Sequence, residues 1–461
     1  MSFWKHTLGG FAAIMLSACG QPEPGTQSGT EINSPNDLQI TVHDGEFATI
    51  QQFVTPGGVS VWLVEEPSIP ILSLRMAWLA GTTTDPVGME GLTTAMVYHM
   101  NEGAGDLDSQ AFTKRMEELN MSFGCGAGRN STYCNASMLI DNVSESFELI
   151  ALAYAEPRFD DGPFGRFVRE REVSLNTRET NPGFLASRAV RQALYPDHAY
   201  AREISAESIA ALTAEAAKAH KSTIMTQGDA IVTAVGAISP DTLAPLIDQA
   251  VVGLPSGFEQ TPTENVILAD PPAEPIVIEL PQPQSLVSFT APAMAQDDPD
   301  YYPAAVLNYI FGGGGFESRL MKELRIARGL TYGVGTRVST GKHLQTWSGN
   351  GQTKNESAGE FIAGIKDEMT KLVTDGVTEQ ELADAKAYLI GSYPLGFDSN
   401  AKIAANMMGL RVDGRPVDSF DKRNALIEAV TLEDVNRLAE TYLRPENFTF
   451  IVVGDPQGLD N

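Results

Sequence analysis

The 461-residue sequence places few side chains at spacings that do chemistry. His99 and Glu102 stand i, i+3 at the end of a helical pattern, so they share a helix face. An imidazole and a carboxylate so placed either begin a metal site or form a surface pair. Beyond residue 19 the other histidines are His43, His198, His220 and His343. None has a second histidine at ligand spacing, and the surface pair is the preferred reading. The run Gly312-Gly313-Gly314-Gly315 is a different signal, since glycines let another backbone come close and permit positive φ. A phosphate loop would need a following Lys-Ser/Thr and a surrounding βαβ unit, and it has neither. No Ser-His or Cys-His pair has the supporting context of a nucleophilic site.

The elements that must position these residues fall into an α+β plan. Phe47 to Phe53, Val59 to Val64 and Ile71 to Leu79 read as consecutive strands, with Pro56-Gly57-Gly58 as the first turn. Helical patterns follow at Gly88 to Asn101, Gln110 to Leu119 and Ser144 to Ala155. Between them, Ser122 to Met138 reads as a hairpin turning near Arg129-Asn130. A tight turn there sets Cys125 opposite Cys134, either as a cross-strand disulfide or as two buried thiols, because sequence does not fix the register. Runs of strands followed by runs of helices indicate layers around a mainly antiparallel sheet.

The plan occurs twice. Ile209 to Glu215 matches Ile427 to Glu433, and Ala230 to Gly236 matches Phe448 to Gly454, both at a separation of 218 residues with no gap. Thr213 and Thr431 are the expected N-caps of the matching helices. A stretch rich in Pro and Gly divides the halves. The expected organisation is a lobe at 37–252, a linker at 253–275 and a second lobe at 276–461.

The amino terminus has its own logic. Lys5 precedes an apolar run from Leu8 to Leu16, which is too short to span a bilayer. Leu16-Ser17-Ala18-Cys19 resembles the lipobox of bacterial lipoproteins. That resemblance implies a signal peptide at 1–18, lipidation of Cys19 and a flexible tether at 19–36. Gly20 after the cysteine resembles lipoproteins sorted to the outer membrane. The expected place is therefore the periplasm, with a lipid anchor in the membrane and the remainder soluble. A formal net charge of −27 argues against nucleic acid or anionic lipid as partner.

Val59 to Gly81, followed by Asp85-Pro-Val-Gly-Met-Glu-Gly-Leu92, resembles the opening of the M16 peptidases, the pitrilysin, insulinase and mitochondrial processing peptidase family. Tyr309-Ile-Phe-Gly312 to Leu320 and Arg325-Ile-Ala-Arg-Gly-Leu-Thr-Tyr332-Gly resemble that family's C-terminal domain, though Ile326 stands where a Glu is frequent. The family's zinc motif, His-x-x-Glu-His, falls here on Thr94, Val97 and Tyr98, none of which can hold zinc or activate water. The third ligand's stretch, Ser174 to Arg178, lacks a carboxylate. The resemblance implies that Arg325 and Tyr332 face substrate and that Gly312 to Gly315 form a substrate loop. It further implies no metal in this chain, zinc in a partner, and a heterodimer with a zinc-motif homologue that hydrolyses peptides. The alternative expectation is a non-catalytic peptide-binding or scaffolding lipoprotein of the cell envelope.

Overall fold

The computed structural model describes residues 30–33, 38–257 and 263–459. The signal peptide, Cys19 and most of the expected tether lie outside these residues.

The first lobe opens with five strands, β1 (Thr30–Asn33), β2 (Gln39–Asp44), β3 (Thr49–Val54), β4 (Ser60–Glu65) and β5 (Ile71–Trp78). Helices α1 (Leu92–His99) and α2 (Ser109–Glu118) follow, then the hairpin β6 (Ser122–Ala127) and β7 (Thr132–Leu139). Helices α3 (Val143–Ala155), α4 (Asp161–Arg178), α5 (Pro182–Leu194), α6 (Ala206–Ala210) and α7 (Ala214–Ile224) lead to β8 (Ile231–Gly236) and α8 (Pro240–Val251). The second lobe runs β9 (Ile276–Glu279), β10 (Gln284–Pro292), α9 (Tyr301–Asn308), β11 (Thr331–Gly341) and β12 (Leu344–Lys354). It ends with α10 (Ala358–Thr374), α11 (Glu379–Gly391), α12 (Asn400–Val412), α13 (Ser419–Glu428), α14 (Leu432–Tyr442) and β13 (Thr449–Gly454).

The sheets share one order. The first reads β1-β2-β3-β4-β8-β5-β7-β6, and the second, from its other edge, β9-β13-β10-β12-β11. In each, only the pair formed by the last strand with the first of the common five is parallel, β4 with β8 and β9 with β13. The three additional strands all sit on the edge beside β4. Two of them differ from expectation. Thr30–Asn33, placed in the tether by composition, pairs antiparallel with β2. β2 itself was not foreseen, although Ile40 is buried and Val42 packs against the core.

Alternation explains the layers. In β7, Thr132, Cys134, Ala136 and Met138 are buried and their neighbours face outward, the period of a sheet covered on one face. Cys134 stands opposite Cys125 with Cα atoms 4.0 Å apart, and a disulfide joins them. β13 is buried at all six positions, because both its faces are covered. Val452 and Phe450 meet their own lobe's helices, whereas Ile451 and Val453 meet Leu185, Ala186 and Ala189 of α5. The mirror contact places Ala404, Met407 and Leu410 of α12 on Trp62, Val64 and Val235. Helices on one face thus describes each lobe's own core, while each central sheet receives on its second face a helix from the other lobe. Helices α5 and α12 lie 218 residues apart at both ends, so the duplication extends further back than Ile209. Thr213 and Thr431 each accept the N3 amide of the next helix. Among the described residues no helix is long and apolar enough to cross a membrane.

Candidate functional site

Helix α1 starts under tight control. Asp85 is buried and accepts from the Gly91 and Thr93 amides, each at 2.8 Å, which neutralises the helix start. Beyond that cap the zinc-motif positions diverge. Thr94 borders an open cavity of 230 Å³. Val97 is buried in the core, and the Tyr98 ring lies 5.3 Å from that of Phe167. Ser174 to Arg178 form the last turn of α4, and Arg178 reaches the rim of the same cavity as Thr94.

The other metal candidate separates into two unrelated contacts. His99 is not at the surface, as expected, but fully buried, its ring packed against Phe159 and Phe164 and its Nδ1 2.7 Å from the Ala95 carbonyl. Burial pushes its pKa down, so the imidazole is held neutral. Glu102 turns away to Arg166 at 2.6 Å and to the Ser109 hydroxyl at 2.7 Å. Among the described residues no three metal-ligating side chains gather.

In the second lobe the chain after α9 tightens irregularly. Two π-helical turns form here, Tyr309–Gly313, which takes in the first two glycines of the run, and Met321–Ala327 beyond it. Such turns are uncommon and concentrate at functional sites. Gly312 has a structural cause, since a Cβ there would lie 2.5 Å from Thr336 Oγ1. Gly315 has another, with φ at +57°. Close approach to the chain itself therefore accounts for part of what the run suggested about ligand. Arg319 holds the loop in place by a bidentate pair to Glu381, both contacts 2.7 Å, and a bond to the Gly376 carbonyl.

Arg325 and Tyr332 have no such employment. The Arg325 guanidinium lies over the Phe316 ring at 4.4 Å and forms no ion pair. Tyr332 sits where the pairing of β11 with β12 slips between Thr331 and Val334, a bulge that re-aims the side chain. Its residue is 85% exposed and its hydroxyl makes no hydrogen bond. Both border a cavity of 1310 Å³ between the lobes, together with Gly312, Gly313 and Gly315. Gly314 does not reach it. From the first lobe, Arg129, Tyr200 and α5 complete the wall. Arg129 and Tyr200 also border the smaller cavity beside Thr94, so the two spaces meet at these residues.

The sequence reading missed the arginines of that smaller cavity, Arg129, Arg178, Arg191 and Arg202. The available signal was the density of arginine between 178 and 202 in an otherwise acidic chain.

Residues 211–389 match the family model described as the peptidase M16 inactive domain. That stretch is similar to the M16 inactive domain. A Helicobacter pylori protein named as the non-peptidase homolog YmxG is 23% identical over 88% of this chain and 94% of its own length. A Bacillus subtilis protein named as the uncharacterized zinc protease YmxG is 20% identical over 85% of this chain and 95% of its own. Among solved structures, the peptidase M16 inactive domain from Pseudomonas fluorescens superposes with a TM-score of 0.82 at 28% identity, covering 89% of this chain and 98% of that one. The Escherichia coli periplasmic protease PqqL has a TM-score of 0.76 at 18% identity, over 96% of this chain and 49% of its own. The two lobes are thus M16-type lobes, and the M16 zinc motif is absent from this chain's sequence.

Proposed function

We propose that this M16 chain is the zinc-less half of a two-chain peptidase, anchored by lipid at Cys19 on the periplasmic side of the outer membrane. A partner chain carries His-x-x-Glu-His with its zinc, and this chain contributes Arg325, Tyr332 and the loop around Gly312 to a shared chamber. The observation that carries the reading is Tyr332. A bulge turns it away from the core into a cavity of peptide size, where none of the described residues bonds the hydroxyl. A zinc held by the partner would supply the activated water; the Tyr332 hydroxyl would serve as hydrogen-bond donor to an oxyanion in the chamber, and Arg325 would orient the substrate or the tyrosine. PqqL, of which this chain matches about half, supports the idea of two such chains acting together.

The test is peptide cleavage by this chain, by the zinc-motif homologue of the same genome, and by the two mixed. Cleavage is expected only in the mixture, and Tyr332→Phe is expected to lower kcat by about a hundredfold. Zinc-dependent turnover by this chain alone would end the proposal. No gain on mixing with an active homologue would favour a peptide-binding or scaffolding role, the reading that the name of the Helicobacter relative supports.

A further inference from the structure

The cavity beside Thr94 is bordered by one of the three zinc-motif positions, and arginines from four segments line its wall. Arg129, Arg178, Arg191 and Arg202 approach it from the β6–β7 turn, from α4, from α5 and from the loop that follows. Few of their charges are spent. Arg178 has no ion pair, and its guanidinium lies over the Phe184 ring at 5.0 Å. Arg129 is stacked in the same way over Tyr200 at 5.1 Å. Arg202 gives its hydrogen bonds to the carbonyls of Asp85 and Thr83. Arg191 shares Glu203 with Arg188, and its Nε is buried without a partner although its side chain is only 9% exposed. Of the three acids on the wall, Glu203 is shared by Arg191 and Arg188, Asp85 is turned into the start of α1, and Glu90 is bonded to the Gly88 amide of its own loop. Burial pushes the pKa of Arg178 down, and neighbouring Arg171, Arg188 and Arg191 add to this while the Glu203 carboxylate opposes it. In a chain of net charge −27 this is a localised surplus of cation.

We propose that this pocket binds a carboxylate, and specifically the C-terminal carboxylate of a peptide lying in the chamber. Guanidinium groups fork onto carboxylates with two parallel hydrogen bonds, and the stacked, half-buried Arg178 and Arg129 are held ready to do so. The cavity holds a terminal residue and little more, and it opens at Arg129 and Tyr200 onto the large chamber. The pocket thus becomes an anchor that sets how far a peptide enters. This deepens the proposed function, on whose chamber it rests.

The experiment measures binding of fluorescent peptides of one sequence to this chain alone, by polarisation. One peptide ends in a free carboxylate, one in an amide, and one in an amide preceded by glutamate. The free acid is expected to bind about tenfold tighter than the amide, and Arg178→Gln to erase that preference with amide binding unchanged. Arg178 lacks an ion pair, so the substitution leaves the fold intact, to be verified by an unaltered melting curve. Rescue by the internal glutamate would assign the pocket to acidic side chains and overturn the terminal-carboxylate claim. Equal binding of all three would also overturn it while leaving peptide entry to the chamber standing. Failure of every peptide would remove both claims, and the mixed cleavage assay would then judge the peptidase reading separately.

Discussion

In the first lobe α1 begins at Leu92 and β6 at Ser122. In the second, α9 begins at Tyr301 and β11 at Thr331, so both pairs lie 209 residues apart. At this spacing Arg325 falls on Met116 and Tyr332 on Phe123, while Thr94, Val97 and Tyr98 fall on Pro303, Val306 and Leu307. Met116 and Phe123 pack against the first lobe's core, Phe123 with its ring 5.9 Å from that of Tyr154. Their counterparts point into open space. The lobes therefore spend the same positions in opposite ways, one on cohesion and one on display. Helix α1 is held by the Asp85 cap and by apolar packing that includes Val97 itself. Among the described residues the π-helical turns and the bulge at Tyr332 lie in the other lobe. Such irregularity persists where surrounding structure sustains it, commonly at sites of function.

The exchanged helices give the largest expected effect. Arg411 of α12 donates to the Ser60 and Val232 carbonyls and to the Ser60 hydroxyl, with its guanidinium over Trp62, and has no carboxylate partner. Burial pushes its pKa down to about 10, which still leaves it charged at neutral pH. Arg411→Ala is expected to cost about 3 kcal/mol in urea unfolding, because three bonds and the stacked stem are lost together. The equivalent place on α5 is Ala193, so the mirror contact is apolar and carries no such dependence. A loss below about 0.5 kcal/mol would mean that apolar packing alone unites the lobes.

A smaller effect probes the anchoring of the glycine loop. Burial pushes the Glu381 carboxyl up, but the Arg319 guanidinium and the Thr378 amide and hydroxyl outweigh it and hold the pKa down to about 2. A carboxyl depressed on folding stabilises above its unfolded pKa, and that contribution fades as pH falls from about 4.5 toward 2. Glu381→Gln should lower stability by about 2 kcal/mol at pH 7 and flatten this part of the acid profile. An acid profile unchanged by the substitution would remove Glu381 from the account.

How legible these regions were follows from the distance over which each is built. The duplication could be read because Thr213 and Thr431 announce their helices locally, and the opposition of Cys125 and Cys134 because a tight turn at Arg129-Asn130 sets them across from each other, although neither the register nor the bond follows from sequence. The M16 resemblance was readable from short motifs around Gly312, Arg325 and Tyr332. The helix exchange was not, since the apolar face of α5 does not say which sheet it will cover. Arg411 reads as a surface residue until the fold buries it. The arginine pocket draws on four separate segments, and no spacing rule links Arg129 to Arg202. His99 shows the opposite failure, a chemically suggestive residue that aromatic packing had already claimed.

The smallest expected effect is the sharpest test of the two lobes' opposed use of one position. Phe123→Ala should cost about 2 kcal/mol, since it removes a partly buried ring from contact with Phe112 and Tyr154. Tyr332→Phe should change stability by no more than about 0.5 kcal/mol, because the hydroxyl bonds to nothing and the residue is 85% exposed. Both would be measured by urea denaturation of the full chain. A Tyr332→Phe loss as large as that of Phe123→Ala would mean that the tyrosine packs in solution, and its display toward the chamber would no longer separate the lobes. The bulge itself is held by the Thr331 hydroxyl, which bonds Gly333 and the Gln352 carbonyl. A neutral result would therefore leave the Tyr332 hydroxyl outside the fold's own bonding and free for the chamber.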